Sequence, residues 1–186
     1  MNKTAHTELH RLFLIEKLPD PINAASSHIQ IFDNYIPNTR IRLRSVRDPY
    51  SNAWTRTLQQ RFAAADETRA VSKLAEMHLN DEEYAVFERF QGREIRKNRY
   101  FHEFDLHTFA FDVYLGDLLG LTTARVDFET VAAMCDFEPP MFAIYEVTSN
   151  ELFDGRNLVE KSFGEVQAEV ARLAPLRASA FEMAAE

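Results

Sequence analysis

Cysteine, glycine and long apolar runs are all scarce in this sequence. Its 186 residues include one cysteine, Cys135, and five glycines. A single thiol excludes an internal disulfide and a cysteine-based zinc site, which is the usage expected in a reducing cytoplasm. No glycine-rich linker or internal repeat divides the chain, so we expect one domain over residues 1–186.

Membrane-spanning runs and excess positive charge are also missing. No stretch reaches the roughly 18 apolar residues that a spanning helix needs, and the amino terminus lacks the basic start and apolar run of a signal peptide. The formal charge is −8, whereas long nucleic acid requires an extended basic surface. We therefore expect a cytoplasmic protein without a membrane or long nucleic-acid partner, which leaves room for a local basic pocket.

What is present is the composition of a packed globular protein, with 46% hydrophobic residues and 15 phenylalanines. Alternating polar and apolar residues with many β-branched and aromatic side chains predict strands. Nine segments qualify, at residues 8–15, 28–36, 39–46, 54–62, 70–78, 94–101, 108–115, 121–128 and 141–148. Pro37 and Asn38 predict a tight turn between the second and third. So many strands indicate a mainly antiparallel sheet that closes on itself.

Two helices are predicted beside these strands. Asn80 is suited to cap a helix over residues 81 to about 90, with Glu83 at the capping-box position and Gly92 just beyond its end. A second helix is predicted over about residues 159–184, where Pro175 is expected to break or kink it. The fold class is therefore α+β.

The most unusual alternation places Arg40, Arg42 and Arg44 on one face of a strand, opposite Ile41 and Leu43. Like charges this close repel one another, so a fold that keeps them together normally supplies an anion or carboxylates between them. The alternative is a solvated strand face whose arginines pair with neighbouring acids. The pattern alone leaves both interpretations open.

Other strands also carry a charged face opposite an apolar one. The polar faces hold Lys97 with Arg99, Asp112 with Tyr114, Arg125 with Asp127, and Glu146 with Thr148. If these faces point into a lumen, helices are expected to cover the apolar outside. Arginines grip phosphate oxygens and carboxylates hold a hard cation such as Mg²⁺, so this lumen would suit a phosphate chain with a divalent metal.

Several segments resemble one known family, in the same order along the chain. Residues 8–15, ELHRLFLI, are similar to its signature E-x-E-R-K-F-L-V, and residues 35–44, YIPNTRIRLR, to its arginine strand. Residues 97–100, then 111–116 with Gly120-Leu121, and then 146–148 follow where similar family segments do. Together they resemble the CYTH, or triphosphate tunnel metalloenzyme, superfamily, which includes class IV adenylate cyclases and thiamine triphosphatases.

The resemblance implies a closed eight-stranded antiparallel tunnel with peripheral helices and a C-terminal helix. It also implies a small triphosphate-bearing substrate and a Mg²⁺ or Mn²⁺ cofactor. The implied phosphate-binding residues are Arg40, Arg42, Arg44, Lys97 and Arg99. The implied metal ligands are Glu8 and Asp127, joined by His10 or Glu146, and the implied catalytic acids are Glu8 and Asp112.

The chain departs from the family pattern at four positions. His10 replaces the second glutamate of the signature, Leu12 its lysine, Gln59 another lysine, and Arg125 a glutamate. Imidazole suits Mg²⁺ poorly and favours Mn²⁺ or Zn²⁺. Two hypotheses follow: a metal-dependent hydrolase of inorganic tripolyphosphate or a nucleoside triphosphate, or a non-catalytic tunnel that binds a phosphorylated or anionic ligand without the full metal site.

Overall fold

Nine strands take up more of the chain than the helices do in the computed structural model, which describes residues 3–63, 70–90 and 92–183. They are β1 Lys3–Leu14, β2 His28–Tyr35, β3 Ile41–Arg47, β4 Trp54–Ala63, β5 Val71–Leu79, β6 Arg93–Phe104, β7 His107–Leu115, β8 Thr122–Asp127 and β9 Tyr145–Glu146. All nine predicted strands are present, and the first eight lie within a few residues of their expected bounds.

Helices take up a smaller share of the described residues. They are α1 Asp81–Phe87, α2 Val131–Asp136, α3 Gly155–Leu158 and α4 Phe163–Met183, with short 3₁₀ helices at Gly116–Leu118 and Glu151–Phe153. Within the described ranges, none of them has both the length and the apolar character needed to cross a membrane.

The strands form a closed antiparallel barrel. Hydrogen-bonded neighbours follow the order β5-β4-β3-β2-β6-β7-β8-β1, and β1 pairs with β5 to close the ring. The first half of β1 pairs with β5, from Lys3 opposite Met77 to Leu9 opposite Val71, and its second half pairs with β8. The structure therefore confirms the eight-stranded tunnel. The short β9 is an additional strand that pairs with the end of β1.

The turn predicted at Pro37 and Asn38 joins β2 to β3, and Tyr35 faces Arg42 across the hairpin. Asn38 adopts a left-handed backbone conformation with φ of 59°, which asparagine tolerates better than most residues. This turn fixes the register of β2 against β3. It thereby decides which residue of β2 faces each arginine.

The cap of α1 is confirmed, but the predicted end of the helix is wrong. Asn80 Oδ1 accepts a hydrogen bond from Glu83 N at 2.8 Å, and Glu83 Oε2 accepts one from Asn80 N at 3.0 Å. The helix ends at Phe87, well before Gly92. The glycine meets a different need, because a Cβ at this position would lie 1.9 Å from the carbonyl oxygen of Tyr35.

The carboxyl-terminal elements correct three further expectations. β9 spans two residues, not 141–148, because a turn closed by Ala143 N and Pro140 O precedes it. α4 begins at Phe163 and not at residue 159, because Ser162 and Glu165 form a capping box at this point. It continues past Pro175 to Met183, so this proline, which removes only one backbone donor, does not end the helix.

The two larger apolar clusters among the described residues pack on the barrel. The outer cluster, on the outside of β1, β7 and β8, is built on Phe13, Phe109 and Phe111, and aromatic residues of the connecting segments, such as Phe137 and Phe142, pack over it. Helices were expected to cover this face, but aromatic connections take much of that role. The bulky flat rings pack edge to face on neighbouring rings.

The second cluster, here called the end plug, joins barrel residues to the C-terminal helices. Its buried members are Leu14, Ile95, Tyr114, Leu118, Leu121, Val147, Phe153, Leu158 and Val166. Ile95 and Tyr114 also line the interior of the barrel, so the apolar plug borders the polar lumen. The helices thus pack at one end of the tunnel, where α3 and α4 contribute Leu158 and Val166.

Gly92→Ala is expected to lower stability by about 1–3 kcal/mol, the usual range for an overpacked site. The added methyl group would collide with the backbone of Tyr35, which cannot move without disturbing the pairing of β2 with β6. Gly164→Ala is the matched control, because its Cβ would meet nothing closer than Ser162 Oγ at 4.0 Å. Thermal denaturation followed by circular dichroism should show a lower Tm for Gly92→Ala alone. Equal melting of the two variants would contradict the close approach.

Candidate functional site

A polar cavity of about 540 Å³ occupies the interior of the barrel. Among the described residues, seven cationic and five acidic side chains line it. The cations are Arg42, Arg44, Arg61, Lys97, Arg99, Arg125 and Arg156; the acids are Glu8, Asp33, Asp112, Asp127 and Asp154. The charged strand faces therefore point into a lumen, and the alternative of a solvated face does not apply to Arg42 and Arg44.

Asp33 on β2 holds both lumenal arginines of β3. Arg44 donates to it twice, from Nε at 2.6 Å and from Nη2 at 2.7 Å, and Arg42 Nη1 lies 3.4 Å from the same carboxylate. Asp33 is 2% exposed. Burial raises the pKa of this carboxyl, but Arg42 and Arg44 outweigh it and hold the pKa well below its usual range. The carboxylate is ionised and neutralises part of the arginine strand.

Asp112 on β7 plays the same role for β6. Lys97 Nζ lies 2.6 Å from one oxygen, and Arg99 donates to both, at 2.6 and 2.7 Å. Burial raises the pKa of Asp112, but Arg99 and Lys97 reverse the shift and lower it. Burial also lowers the pKa of Lys97 to about 8, with Asp112 opposing and Arg99 adding to the shift. The lysine therefore loses its charge more readily than an ordinary lysine does.

Glu8 on β1 lies between two arginines. Arg61 Nη2 is 2.7 Å from one carboxylate oxygen and Arg125 Nη2 is 3.2 Å from the other. Ser72 Oγ donates to Glu8 at 3.3 Å. Burial raises the pKa of Glu8, but Arg61 and Arg125 outweigh it and lower the pKa to about 2. Both oxygens of this predicted metal ligand are thus occupied by cationic donors.

His10 lines the same cavity, and Asp127 is its cross-strand partner. Burial, Arg125 and Arg61 together lower the pKa of the imidazole to about 3, so the ring is neutral. Its Nδ1 is buried and has no hydrogen-bond partner among the described residues.

Two predicted site residues lie apart from the others. Arg40 is exposed and stacks on the ring of Phe62, with its Cζ 4.6 Å from the ring centroid. It borders a small separate recess of about 20 Å³. Glu146 accepts two hydrogen bonds from Arg11, at 3.0 and 2.5 Å. The structure does not bring either residue to the main cavity, whereas it brings Glu8, His10 and Asp127 to one part of the wall.

Three departures from the family pattern also lie on the lumen side. Leu12 lines the cavity and is the direct cross-strand neighbour of Arg125. Gln59 accepts from Arg42 Nε at 2.9 Å and donates to Glu76 on the next strand. An amide accepts from one side and donates to the other, so Gln59 connects a guanidinium to a carboxylate where a lysine could only donate.

Sequence reasoning missed four charged residues that line the cavity: Asp154 and Arg156 at the start of α3, and Asp33 and Arg61 on strands. Asp33 is the only acid in the alternation of β2 and lies directly opposite Arg44 once the Pro37-Asn38 turn sets the register. Arg61 follows Gln59 by two positions and therefore shares its strand face. Extending the alternation by one step in each strand would have identified both.

The lumenal donors do not fit a divalent cation. Within the described residues, no group of three or more His, Cys, Asp or Glu side chains is arranged to hold a metal ion. Arg61 and Arg125 occupy the oxygens of Glu8, and Arg125 occupies those of Asp127 at 2.5 to 3.2 Å. A hard cation such as Mg²⁺ needs several free carboxylate or carbonyl oxygens, and here the guanidinium groups take their place.

Asp112→Asn is expected to destabilise the protein by roughly 3 kcal/mol or more, because removing one partner of a buried ion pair leaves uncompensated charge. Lys97 and Arg99 would both lose their carboxylate. Glu160→Gln is the matched control, because it breaks an ion pair with Arg93 in which both side chains are more than half exposed. Exposed pairs contribute about 1 kcal/mol or less. Urea denaturation measures both. Similar midpoints would show that the lumenal pair is not a structural requirement.

Comparison with known proteins adds one result. No protein-family model matches the chain, and no curated protein matches it. Among solved structures, the crystal structure of the inorganic triphosphatase NE1496 matches with a TM-score of 0.56 and 22% identity, over 83% of this chain and 95% of that one. A second structure, of the hypothetical protein NE1496, matches with a TM-score of 0.57 and 22% identity, over 83% of this chain and 99% of that one. The chain therefore shares the fold of an inorganic triphosphatase, as the resemblance implied.

Proposed function

We propose that the tunnel binds a small anion carrying several phosphate groups, such as a short linear polyphosphate. The observation that carries this proposal is the convergence of Arg42, Arg44, Arg61, Arg99 and Arg125 from four strands on one cavity. Guanidinium groups bind phosphate oxygens through paired, charge-assisted hydrogen bonds. A polyphosphate would present such oxygens to several strands at once.

The arginines keep donors for a ligand while they pair with carboxylates. A guanidinium has five N–H donors, and Asp33 takes only two of those of Arg44. Arg61 Nε is buried and has no hydrogen-bond partner among the described residues. The carboxylates therefore fix the positions of the guanidinium groups and leave some of their N–H groups unpaired, which reduces the ordering needed when an anion binds.

The size and shape of the cavity favour a short ligand. A volume of about 540 Å³ is within the common range for small-molecule sites. The end plug fills one end of the barrel with apolar side chains, including Phe153 and Leu158. A polyphosphate with few groups fits this space.

Metal-dependent hydrolysis is the less supported of the two functions considered. It would place Glu8, His10 and Asp127 on a Mg²⁺ or Mn²⁺ ion, yet arginines already occupy the oxygens of both carboxylates. Asp112, expected as a catalytic acid, pairs with Lys97 and Arg99. In the binding function these acids have a positioning role, because they hold the cations in place for the ligand.

Arg44→Gln is expected to weaken binding of tripolyphosphate roughly tenfold to a hundredfold, the value of one charge-assisted contact. Isothermal titration calorimetry in the presence of a chelator measures the affinity directly. Arg47→Gln is the matched control: it removes the same charge from the same strand, but Arg47 points outward and bonds to Asn52 at 2.6 Å.

Four outcomes decide the proposal. Tight binding by the wild type and by Arg47→Gln, with a large loss in Arg44→Gln, supports a lumenal anion site. Equal losses in both variants would indicate nonspecific attraction, and no binding by the wild type would reject the function. Metal-stimulated phosphate release from tripolyphosphate or a nucleoside triphosphate would instead favour hydrolysis.

Affinity for the anion should fall as the pH rises above about 8. The pKa of Lys97 is lowered to about 8, so above this pH the lysine is increasingly neutral and no longer attracts phosphate. The limiting slope is about tenfold per pH unit for one lost charge. Lys97→Arg keeps its charge and should flatten the profile, which calorimetry at several pH values would reveal. Parallel profiles would assign the pH dependence to the ligand.

A further inference from the structure

Arg125 occupies the position between the two carboxylates that the resemblance assigns to metal binding. Its Nη2 lies 3.2 Å from Glu8 Oε1 and 2.5 Å from Asp127 Oδ1, and its Nε lies 2.9 Å from the same Asp127 oxygen. The side chain is 15% exposed. One guanidinium therefore bridges β1 and β8 where a bound cation would be expected.

A second guanidinium completes the charge balance on the other side of Glu8. Arg61 Nη2 lies 2.7 Å from Glu8 Oε2, the oxygen that Arg125 does not contact, and Ser72 Oγ donates to the same oxygen at 3.3 Å. A divalent ion at Glu8 would have to displace one arginine and lie close to the other. Repulsion between a divalent cation and a guanidinium at such short range opposes this exchange.

The register of β1 and β8 shows how this charge arrangement arises. Leu12 and Arg125 are direct cross-strand partners, and both depart from the family pattern, which has a lysine at the first position and a glutamate at the second. A cation and an acid on adjacent strands are thus replaced by an apolar residue and a cation. Compared with that pattern, the cation lies on β8 instead of β1, and position 125 does not supply the carboxylate that a metal site would use.

We propose that Arg125 is a built-in counter-cation of the tunnel, and that the ligand is a short polyphosphate free of divalent metal. This inference rests on the proposed anion-binding function. The Arg125 guanidinium would bind the same phosphate oxygens that Mg²⁺ coordinates in solution, because both cations bind such oxygens. Mg²⁺ should therefore compete with the protein for the ligand and weaken binding.

The test measures binding of tripolyphosphate by calorimetry with a chelator and with excess Mg²⁺. We expect the wild type to bind best with the chelator and to lose affinity roughly tenfold when Mg²⁺ is in excess. Arg125→Gln should lose roughly tenfold or more of the metal-free affinity. Arg125→Glu should abolish metal-free binding and make binding depend on Mg²⁺ or Mn²⁺, because it supplies a third acid beside Glu8 and Asp127.

Direct titration with Mn²⁺, without any anion, provides a second measurement. The wild type should not bind Mn²⁺, and Arg125→Glu should bind it. Arg47→Glu is the matched control, because it makes the same charge reversal on the outside of the barrel and should leave the metal response unchanged. If Arg125→Glu fails to fold in thermal denaturation, Arg125→Gln and the wild-type response to Mg²⁺ still decide the question.

Each outcome bears on one proposal or the other. Wild-type binding that requires Mg²⁺ or Mn²⁺ would overturn the role of Arg125 and leave anion binding intact. Unchanged affinity in Arg125→Gln would overturn it as well. Failure of the wild type to bind tripolyphosphate under every condition would reject the anion-binding function, and the inference would fall with it.

Discussion

Repulsion among the cations inside the barrel is the constraint on which the rest of the structure depends. Several guanidinium groups and a lysine share about 540 Å³, a density of like charge that no fold holds without compensation. Three acids provide most of it, and Asp33, Asp112 and Glu8 each contact two cations on other strands. Most of these pairs join adjacent strands, and the pair of Glu8 with Arg61 reaches from β1 past β5 to β4, so the charge balance holds only while the barrel keeps its register.

The features that the sequence predicts well are those that depend on local geometry. Alternation of period two follows from backbone geometry, so the eight main strands and the face shared by Arg42 and Arg44 could be identified without coordinates. The turn at Pro37 and Asn38 and the cap at Asn80 are equally local, since each depends on residues within a few positions. Closure of the barrel was predictable only through the number of strands and the ordered resemblance to a family.

What the sequence does not predict depends on contacts between distant segments. Alternation assigns Glu146 to a polar face, but it cannot show that a two-residue β9 joins the end of β1 and that Arg11 takes this carboxylate. Arg40 shares its face with Arg42, yet it lies just before β3, where it stacks on Phe62. Local pattern assigns Gly92 to a helix end, because it cannot show that the carbonyl of Tyr35, 57 positions earlier, lies against this glycine.

The proposed replacement of a metal ion by the Arg125 guanidinium would change what controls binding in this tunnel. A divalent ion is an exchangeable component, so a site built on it binds its anion only when the metal is supplied. A guanidinium held by Glu8 and Asp127 is covalently part of the chain and already ordered, so neither its concentration nor its orientation must be provided at binding. A guanidinium is not a Lewis acid, however, so it does not polarise a phosphoryl group as a metal ion would. In the proposed function, a guanidinium that is part of the chain gives this tunnel a metal-independent hold on phosphate, without the chemistry that a bound metal would supply.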